Sequence, residues 1–167
     1  MPPDDGRPLA EPCLLGRTVG GALGRVGDSA HACFVDGALV ELSPDATHPV
    51  WLRAELGALI RPVARTLPQC GARVTKDGAT TGLTHGFLAS DCYATEPWLL
   101  GHAWTASEQL LVDSADDALV FSAPGDSGAA LLDADGCVFG VLWGTTMLGQ
   151  GIAYPITRLI EHLGLSL

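Results

Sequence analysis

The chain has 167 residues, of which 47% are hydrophobic and 17% are charged, and its formal net charge is −10. This composition is typical of one folded domain, or of two small halves that share a cleft, and excludes a disordered chain. No run of lysine or arginine occurs, so neither nucleic acid nor an acidic membrane surface is an expected partner, because both bind to a basic face. No apolar run reaches membrane-spanning length and residues 1–5 do not resemble a signal peptide, which favours a cytoplasmic location.

The cysteines are scattered and odd in number, and no Cys-x-x-Cys pair occurs among Cys13, Cys33, Cys70, Cys92 and Cys137. This pattern favours neither a disulfide framework nor a zinc site, and no metal or cofactor is expected. The 21 glycines and 11 prolines favour many short strands joined by turns.

The first part of the chain predicts little regular structure before residue 33. Residues 1–12 are expected to form a mobile tail. Residues 14–26 combine several glycines with short apolar pairs, which is compatible with two short strands or with a loop. Residues 32–35 lead into residues 36–42, which predict an apolar strand that ends at Ser43 and Pro44.

Residues 46–70 are interpreted as a connector, with a short helix near residues 50–60 that ends at Pro62. Strands are then predicted at residues 72–76, 81–89, 98–104, 108–113 and 151–154, together with a hairpin at 129–143. Six or seven strands of this length are enough to close one antiparallel barrel. A final helix is predicted from Pro155, which fits a first helical turn, to Gly164, which fits a helix end.

The most informative stretch is Phe121-Ser122-Ala123-Pro124-Gly125-Asp126-Ser127-Gly128. It is a serine on a tight turn flanked by two glycines, which can adopt positive φ and allow close backbone approach. Such a turn can direct the N–H groups of Gly125 and Ser127 at one point, where an oxyanion can form. By composition alone, an ordinary loop between two strands is the simpler interpretation.

A second motif, residues 74–86, is rich in lysine, glycine and threonine, and a strand ending in Trp143-Gly144 follows the serine turn. In this order, the two motifs resemble the chymotrypsin-like serine peptidases of the PA clan, particularly the trypsin-like proteins of bacteria and fungi. The resemblance implies an all-β fold with a chymotrypsin-like antiparallel barrel and a C-terminal helix. Residues 71–167 would form a complete second barrel, and residues 13–45 a partial first barrel.

The resemblance also implies roles for individual residues. Ser127 would be the nucleophile, the N–H groups of Gly125 and Ser127 the oxyanion hole, and Asp126 the buried acid beside the nucleophile. The strand that lines the substrate cleft would contain Leu142, Trp143 and Gly144.

Two further positions carry a role together with a simpler alternative. Asp36, followed by Gly37-Ala38-Leu39-Val40, resembles the triad aspartate that orients an imidazole, but it can equally cap the start of a strand. Phe121, six residues before the nucleophile, matches the base of the primary specificity pocket and would favour small or apolar substrate side chains. The alternative is that Phe121 packs in the barrel core.

No residue can be assigned as the general base. In the family the catalytic histidine precedes the aspartate, and His31, the one histidine before Asp36, lies only five residues away from it. His48, His85, His102 and His162 are interpreted as surface or structural residues. Two functions therefore remain open. One is a trypsin-like serine endopeptidase that cleaves a polypeptide substrate and receives its histidine from elsewhere, for example from a complementing chain that supplies the missing first-barrel strands. The other is an inactive pseudo-peptidase that binds peptides or a partner protein.

Overall fold

The computed structural model describes residues 16–26, 33–42, 66–99 and 101–165. In this part of the chain the elements are, in order, β1 Gly16–Val26, β2 Cys33–Leu42, β3 Arg73–Gly78, β4 Gly82–Thr95, β5 Trp98–Leu99, β6 His102–Ala103, β7 Ala106–Ser114, β8 Ala130–Leu132, β9 Val138–Thr145, β10 Gly151–Pro155 and α1 Ile156–His162. The expected tail at 1–12 and the connector helix near 50–60 lie outside the described residues. The division of the chain at residues 13–45, 46–70 and 71–167 stays a prediction.

Six strands close into an antiparallel barrel in the order β10-β7-β4-β3-β8-β9. Because successive side chains of a strand point to opposite faces, every second residue of β3 is buried, beginning with Val74 and Lys76. The barrel interior is filled by one apolar cluster, formed by Val74, Leu88, Leu110, Val112, Phe121, Leu131, Phe139, Leu142 and Ala153. The predicted barrel and the C-terminal helix after its last strand are confirmed.

The strands β1 and β2 pair with each other as a separate two-stranded hairpin. Cys33 and Val35 of β2 are buried against Tyr154 of β10, and Leu159 of α1 packs against the same cluster. The Tyr154 hydroxyl donates a hydrogen bond of 2.9 Å to the backbone carbonyl of Asp36. The hairpin is thus attached to the barrel by apolar contacts and by at least this one polar contact.

The structure differs from the predicted strands at residues 98–104 and settles the alternatives at residues 16–26. Residues 98–104 do not form one strand, so that prediction is wrong: Gly101, at φ +79°, reverses the chain between the two-residue strands β5 and β6. Residues 16–26, for which two strands or a loop were open, form a single strand with a register irregularity between Thr18 and Gly20. None of the described helical residues forms a segment long and apolar enough to cross a bilayer.

Candidate active site

The turn that carries Ser127 lies between β7 and β8 and is fixed at both ends by backbone hydrogen bonds. The N–H groups of Phe121 and Ser122 both donate to the carbonyl of Gly149, at 2.9 and 3.0 Å. At the other end, the N–H of Gly128 donates to the carbonyl of Leu142 on β9, at 2.7 Å. The turn is therefore held against the strand that the sequence assigned to the cleft.

Both glycines of the turn adopt positive φ, Gly125 at +104° and Gly128 at +92°. At Gly125 space is also limiting, since a Cβ atom there would lie 2.3 Å from Oγ1 of Thr80. That hydroxyl donates to the carbonyl of Pro124, at 2.9 Å. Within the described part of the chain, the N–H groups of Gly125 and Ser127 form no hydrogen bond. They remain available to an acceptor.

Asp126 is buried, with 1% of its surface exposed, and accepts four hydrogen bonds. Its Oδ1 accepts from the N–H groups of Thr80 and Thr81, at 2.7 and 3.1 Å. Its Oδ2 accepts from the Thr81 hydroxyl at 2.7 Å and from the Ala123 N–H at 3.1 Å. Burial by itself would raise the pKa of Asp126, but these hydrogen bonds outweigh it and hold the pKa well below its usual range. The carboxylate is therefore ionised and joins the two sequence motifs.

Lys76 supplies the counter-charge inside the barrel. Its Nζ lies 3.2 Å from Oδ2 of Asp126, and both side chains are fully buried. It also donates to the Gly82 carbonyl at 3.2 Å, contacts the Thr81 hydroxyl, and lies 5.7 Å from the ring centroid of Phe121. Burial lowers the pKa of Lys76, and the neighbouring carboxylate opposes this effect. A buried pair with this many polar partners is one that the interior can tolerate.

The Ser127 side chain is exposed, and its hydroxyl donates to the carbonyl of Trp143 at 3.1 Å. It borders a cavity of about 270 Å³ that contains no charged side chain and is lined by Ala123, Pro124, Gly125, Ser127, Leu142, Trp143, Gly144 and Thr145. The structure thus brings together the expected nucleophile, the expected oxyanion-hole glycine and the expected cleft strand. A larger cavity of about 550 Å³, lined in part by Arg73 and His85, shares no residue with it.

Phe121 does not line this cavity; the structure places it in the barrel core with no exposed surface. The ring fits there because two neighbouring positions lack side chains. A Cβ atom on Gly86 or Gly151 would lie 2.8 or 2.7 Å from it. The position corresponds to the core-packing alternative.

Asp36 lies exposed on β2, opposite Leu23. Its backbone carbonyl accepts from the Tyr154 hydroxyl, and burial, together with the charge of Asp36, raises the pKa of Tyr154 to about 12. That phenol therefore stays protonated and remains a donor. Among the described residues the Asp36 carboxylate has no imidazole partner, and its role in a triad stays a prediction.

The described imidazoles do not contact Ser127. Nδ1 of His85 lies 3.1 Å from Oγ1 of Thr75 on the barrel surface, and His162 lies in the last turn of α1. The side chains of His31, His48 and His102 lie outside the described part. The Ser127 hydroxyl directs its proton at a carbonyl. A serine hydroxyl is a poor nucleophile until a base takes its proton.

Among the buried polar side chains, Lys76 and Gln109 have contacts at the site but no role predicted from the sequence. The burial of Lys76 can be predicted, because the alternation of side chains along β3 places Lys76 on the same inward face as Val74. No sequence pattern predicts the burial of Gln109. Its Oε1 accepts from the Trp143 indole N–H at 2.7 Å. Gln109 and Leu110 are buried in succession, so alternation fails at this point of β7.

No protein-family model matches the chain, and no curated protein matches it. Solved structures do. A serine protease specific for glutamic acid, described as using a novel histidine triad in substrate binding, aligns with a TM-score of 0.61 and 19% identity over 84% of this chain and 70% of its own. The chymotrypsin of Cellulomonas bogoriensis gives 0.59 and 18% over 81% and 74%, and protease A of Thermobifida fusca gives 0.58 and 23% over 79% and 67%. The chain therefore has a chymotrypsin-like fold. At these identities the likeness establishes the fold alone.

Proposed function

We propose that this chain is the nucleophile-bearing part of a trypsin-like serine endopeptidase, with Ser127 as the nucleophile. The observation that carries the proposal is the position of the Ser127 hydroxyl, which is exposed at the edge of a cavity of about 270 Å³. The same turn is fixed from behind by the buried pair of Asp126 and Lys76. A turn constrained in this way keeps the Ser127 hydroxyl at a fixed position beside the cavity. The serine peptidase fold of the neighbouring structures supports the same function.

The proposed reaction is hydrolysis of a peptide bond. Ser127 Oγ attacks the carbonyl carbon, and the carbonyl oxygen becomes an oxyanion that accepts from the N–H groups of Gly125 and Ser127. The hydroxyl proton passes to an imidazole and from there to the leaving amine, and water then cleaves the acyl-enzyme. Asp36 is the proposed acid that orients the imidazole.

The base in this proposal is a histidine outside the described side chains, in this chain or in a complementing one. In the described part, β1 and β2 pair only with each other, so their outer edges are open to further strands. A complementing chain that adds first-barrel strands and carries the histidine fits these edges. When the base engages, the hydrogen bond from Ser127 to the Trp143 carbonyl must break.

The proposed substrate is a polypeptide that lies extended along Trp143, Gly144 and Thr145. We expect a small or apolar side chain before the scissile bond, because the cavity contains no counter-charge for lysine, arginine or glutamate. A peptide library checks this expectation. Cleavage after arginine in that library would overturn it.

The alternative function is a pseudo-peptidase that binds extended peptides without cleaving them. One observation favours it: no described imidazole reaches Ser127, whose hydroxyl is occupied by the Trp143 carbonyl. Under this alternative the cavity and the cleft strand would still hold a peptide.

Chemical rescue separates the two functions. The purified chain is treated with a fluorophosphonate at increasing concentrations of free imidazole, and the adduct is located by mass spectrometry. The peptidase proposal predicts an adduct on Ser127 that forms faster as imidazole increases, because a base that takes the hydroxyl proton activates the serine. Ser127→Ala should abolish it, whereas Ser122→Ala, which removes a buried hydroxyl from the same turn, should not. Binding of N-acetyl-tetraalanine amide without any adduct would favour the pseudo-peptidase.

A further inference from the structure

Gln109 is a buried polar side chain outside the two motifs whose amide is bonded at both ends. It has no exposed surface. Its Nε2 lies 2.8 Å from the Ser107 carbonyl, 3.2 Å from the Phe34 carbonyl and 3.2 Å from Sγ of Cys33. Its Oε1 accepts from the indole N–H of Trp143 at 2.7 Å. A buried amide is tolerated only when its donors and acceptor are satisfied in this way.

The backbone immediately before Gln109 is strained. Glu108 has φ +53° and is the one non-glycine residue with positive φ in the described part of the chain. The pairing of β4 with β7 is irregular around the pair of Tyr93 and Gln109. Backbone conformations of this kind cost energy and occur where the surrounding structure requires a particular side-chain direction. Here the required direction is the one that turns the Gln109 amide inward.

The amide joins parts of the molecule that are distant in sequence. One end holds β2 through Phe34, two residues before Asp36. The other end holds the indole of Trp143, whose ring centroid lies 4.9 Å from that of Phe34. Trp143 also lines the cavity, and its carbonyl accepts the Ser127 hydroxyl. A continuous set of contacts therefore runs from the hairpin through Gln109 and Trp143 to Ser127.

We propose that Gln109 is a positioning residue: it fixes the Trp143 indole, and with it the cavity wall and the carbonyl that holds Ser127, when the β1–β2 hairpin is docked. The effect on peptide binding rests on the proposed function, whereas the effect on the indole does not.

The test compares three variants of the full chain. Gln109→Met keeps the length of the side chain and removes all its hydrogen bonds. Gln109→Glu keeps an acceptor for the indole, because burial favours the neutral acid. Tyr154→Phe is the matched control: it removes a hydrogen bond between the hairpin and the barrel, at the Asp36 carbonyl, and keeps both the ring of residue 154 and the hydrogen bond from Trp143 to Gln109.

Two quantities are measured. The first is the Trp143 emission, isolated by subtracting the spectrum of the same protein with Trp143→Phe. The second is the dissociation constant of N-acetyl-tetraalanine amide, measured in a Ser127→Ala background. For Gln109→Met we expect a red shift of the Trp143 emission and about tenfold weaker peptide binding, the scale of one lost buried hydrogen bond. Gln109→Glu should restore both, and Tyr154→Phe should change neither.

Unchanged Trp143 emission in Gln109→Met would overturn the proposal. Effects of Tyr154→Phe as large as those of Gln109→Met would also overturn it, because they would show that the contact between hairpin and barrel, and not Gln109, positions the indole. If Gln109→Met does not fold, Gln109→Glu decides: emission as in the parent supports the proposal, and a red shift contradicts it. If the peptide binds to no protein, the parent included, the proposed function fails. The emission comparison still decides the role of Gln109.

Discussion

Replacing Lys76 with methionine is expected to destabilise the fold and to loosen the turn that carries Ser127. Methionine retains a long apolar side chain but removes the ammonium group that lies 3.2 Å from Oδ2 of Asp126. The carboxylate keeps its four other hydrogen bonds and stays ionised, but it loses its counter-charge in a fully buried position.

The size of the effect follows from the partners that remain. Removing one member of a buried ion pair costs about 3–5 kcal/mol, and the four hydrogen bonds left on Asp126 place Lys76→Met near the lower value. Asp126→Asn should cost more, near the upper value of about 5 kcal/mol, because the ammonium keeps only the Thr81 hydroxyl and the Gly82 carbonyl. For a chain of this length, Lys76→Met should lower Tm by about 6–12 °C.

Urea unfolding followed by circular dichroism measures these differences. Arg17→Ala is the control, because the ion pair of Arg17 and Glu41 has a similar distance of 3.3 Å but side chains that are 81% and 65% exposed. Screening by water should leave its removal without measurable effect. The double variant Lys76→Met/Asp126→Asn should be more stable than the sum of the single losses predicts. A Lys76→Met protein as stable as Arg17→Ala, or strict additivity in the double variant, would refute the reasoning.

Three further predictions concern the same part of the molecule and its surroundings. The free energy of unfolding should fall as pH drops below about 4, because the pKa of Asp126 is lower in the folded state than in the unfolded state. The stabilisation by Asp126 is complete above its unfolded-state pKa and is lost as pH falls through its folded-state pKa. Urea unfolding between about pH 3 and pH 6 checks this against Asp126→Asn, and parallel curves would contradict it. Gly125→Ala should lower the Tm more than Gly71→Ala does. Both positions have positive φ, but of the two only a Cβ atom at Gly125 would meet a side chain within 4 Å. Equal losses in thermal unfolding would contradict this prediction. Iodoacetamide should modify exposed Cys70 well before Cys33, because burial raises the pKa of Cys33 to about 11. Peptide mass spectrometry determines the order of modification, and the reverse order would show that Cys33 is accessible.

The barrel could be predicted from the sequence because its information is local. Short apolar runs mark β8 and β9, and a glycine-containing turn separates them. Residues 98–104 were misread because the apolar pattern is continuous across Gly101, and only the positive φ of that glycine shows the reversal. A single strand at 16–26 could not be predicted either, since its glycines are compatible with a loop until β2 pairs with them.

At the candidate site the glycine-flanked turn was visible in sequence, and the partners that hold it were not. Asp126 is bonded to residues 45 and 46 positions upstream, a proximity that depends on closure of the barrel. Likewise, the hydrogen bond between Gln109 and Trp143 joins residues 34 positions apart and follows a residue with positive φ, neither of which the sequence shows. The position of Phe121 in the core could not be predicted either, because it depends on Gly86 and Gly151, which are distant from it in the sequence.

The most direct measurement of the central claim is the amide spectrum of the ¹⁵N-labelled chain with an alanine peptide boronic acid and free imidazole. A tetrahedral boronate on Ser127 carries an oxyanion at the position expected in the reaction. The proposed function predicts a covalent adduct that is absent in Ser127→Ala, with downfield shifts of the Gly125 and Ser127 amide protons. Absence of the adduct, or an adduct that leaves these two amides unchanged, would contradict it.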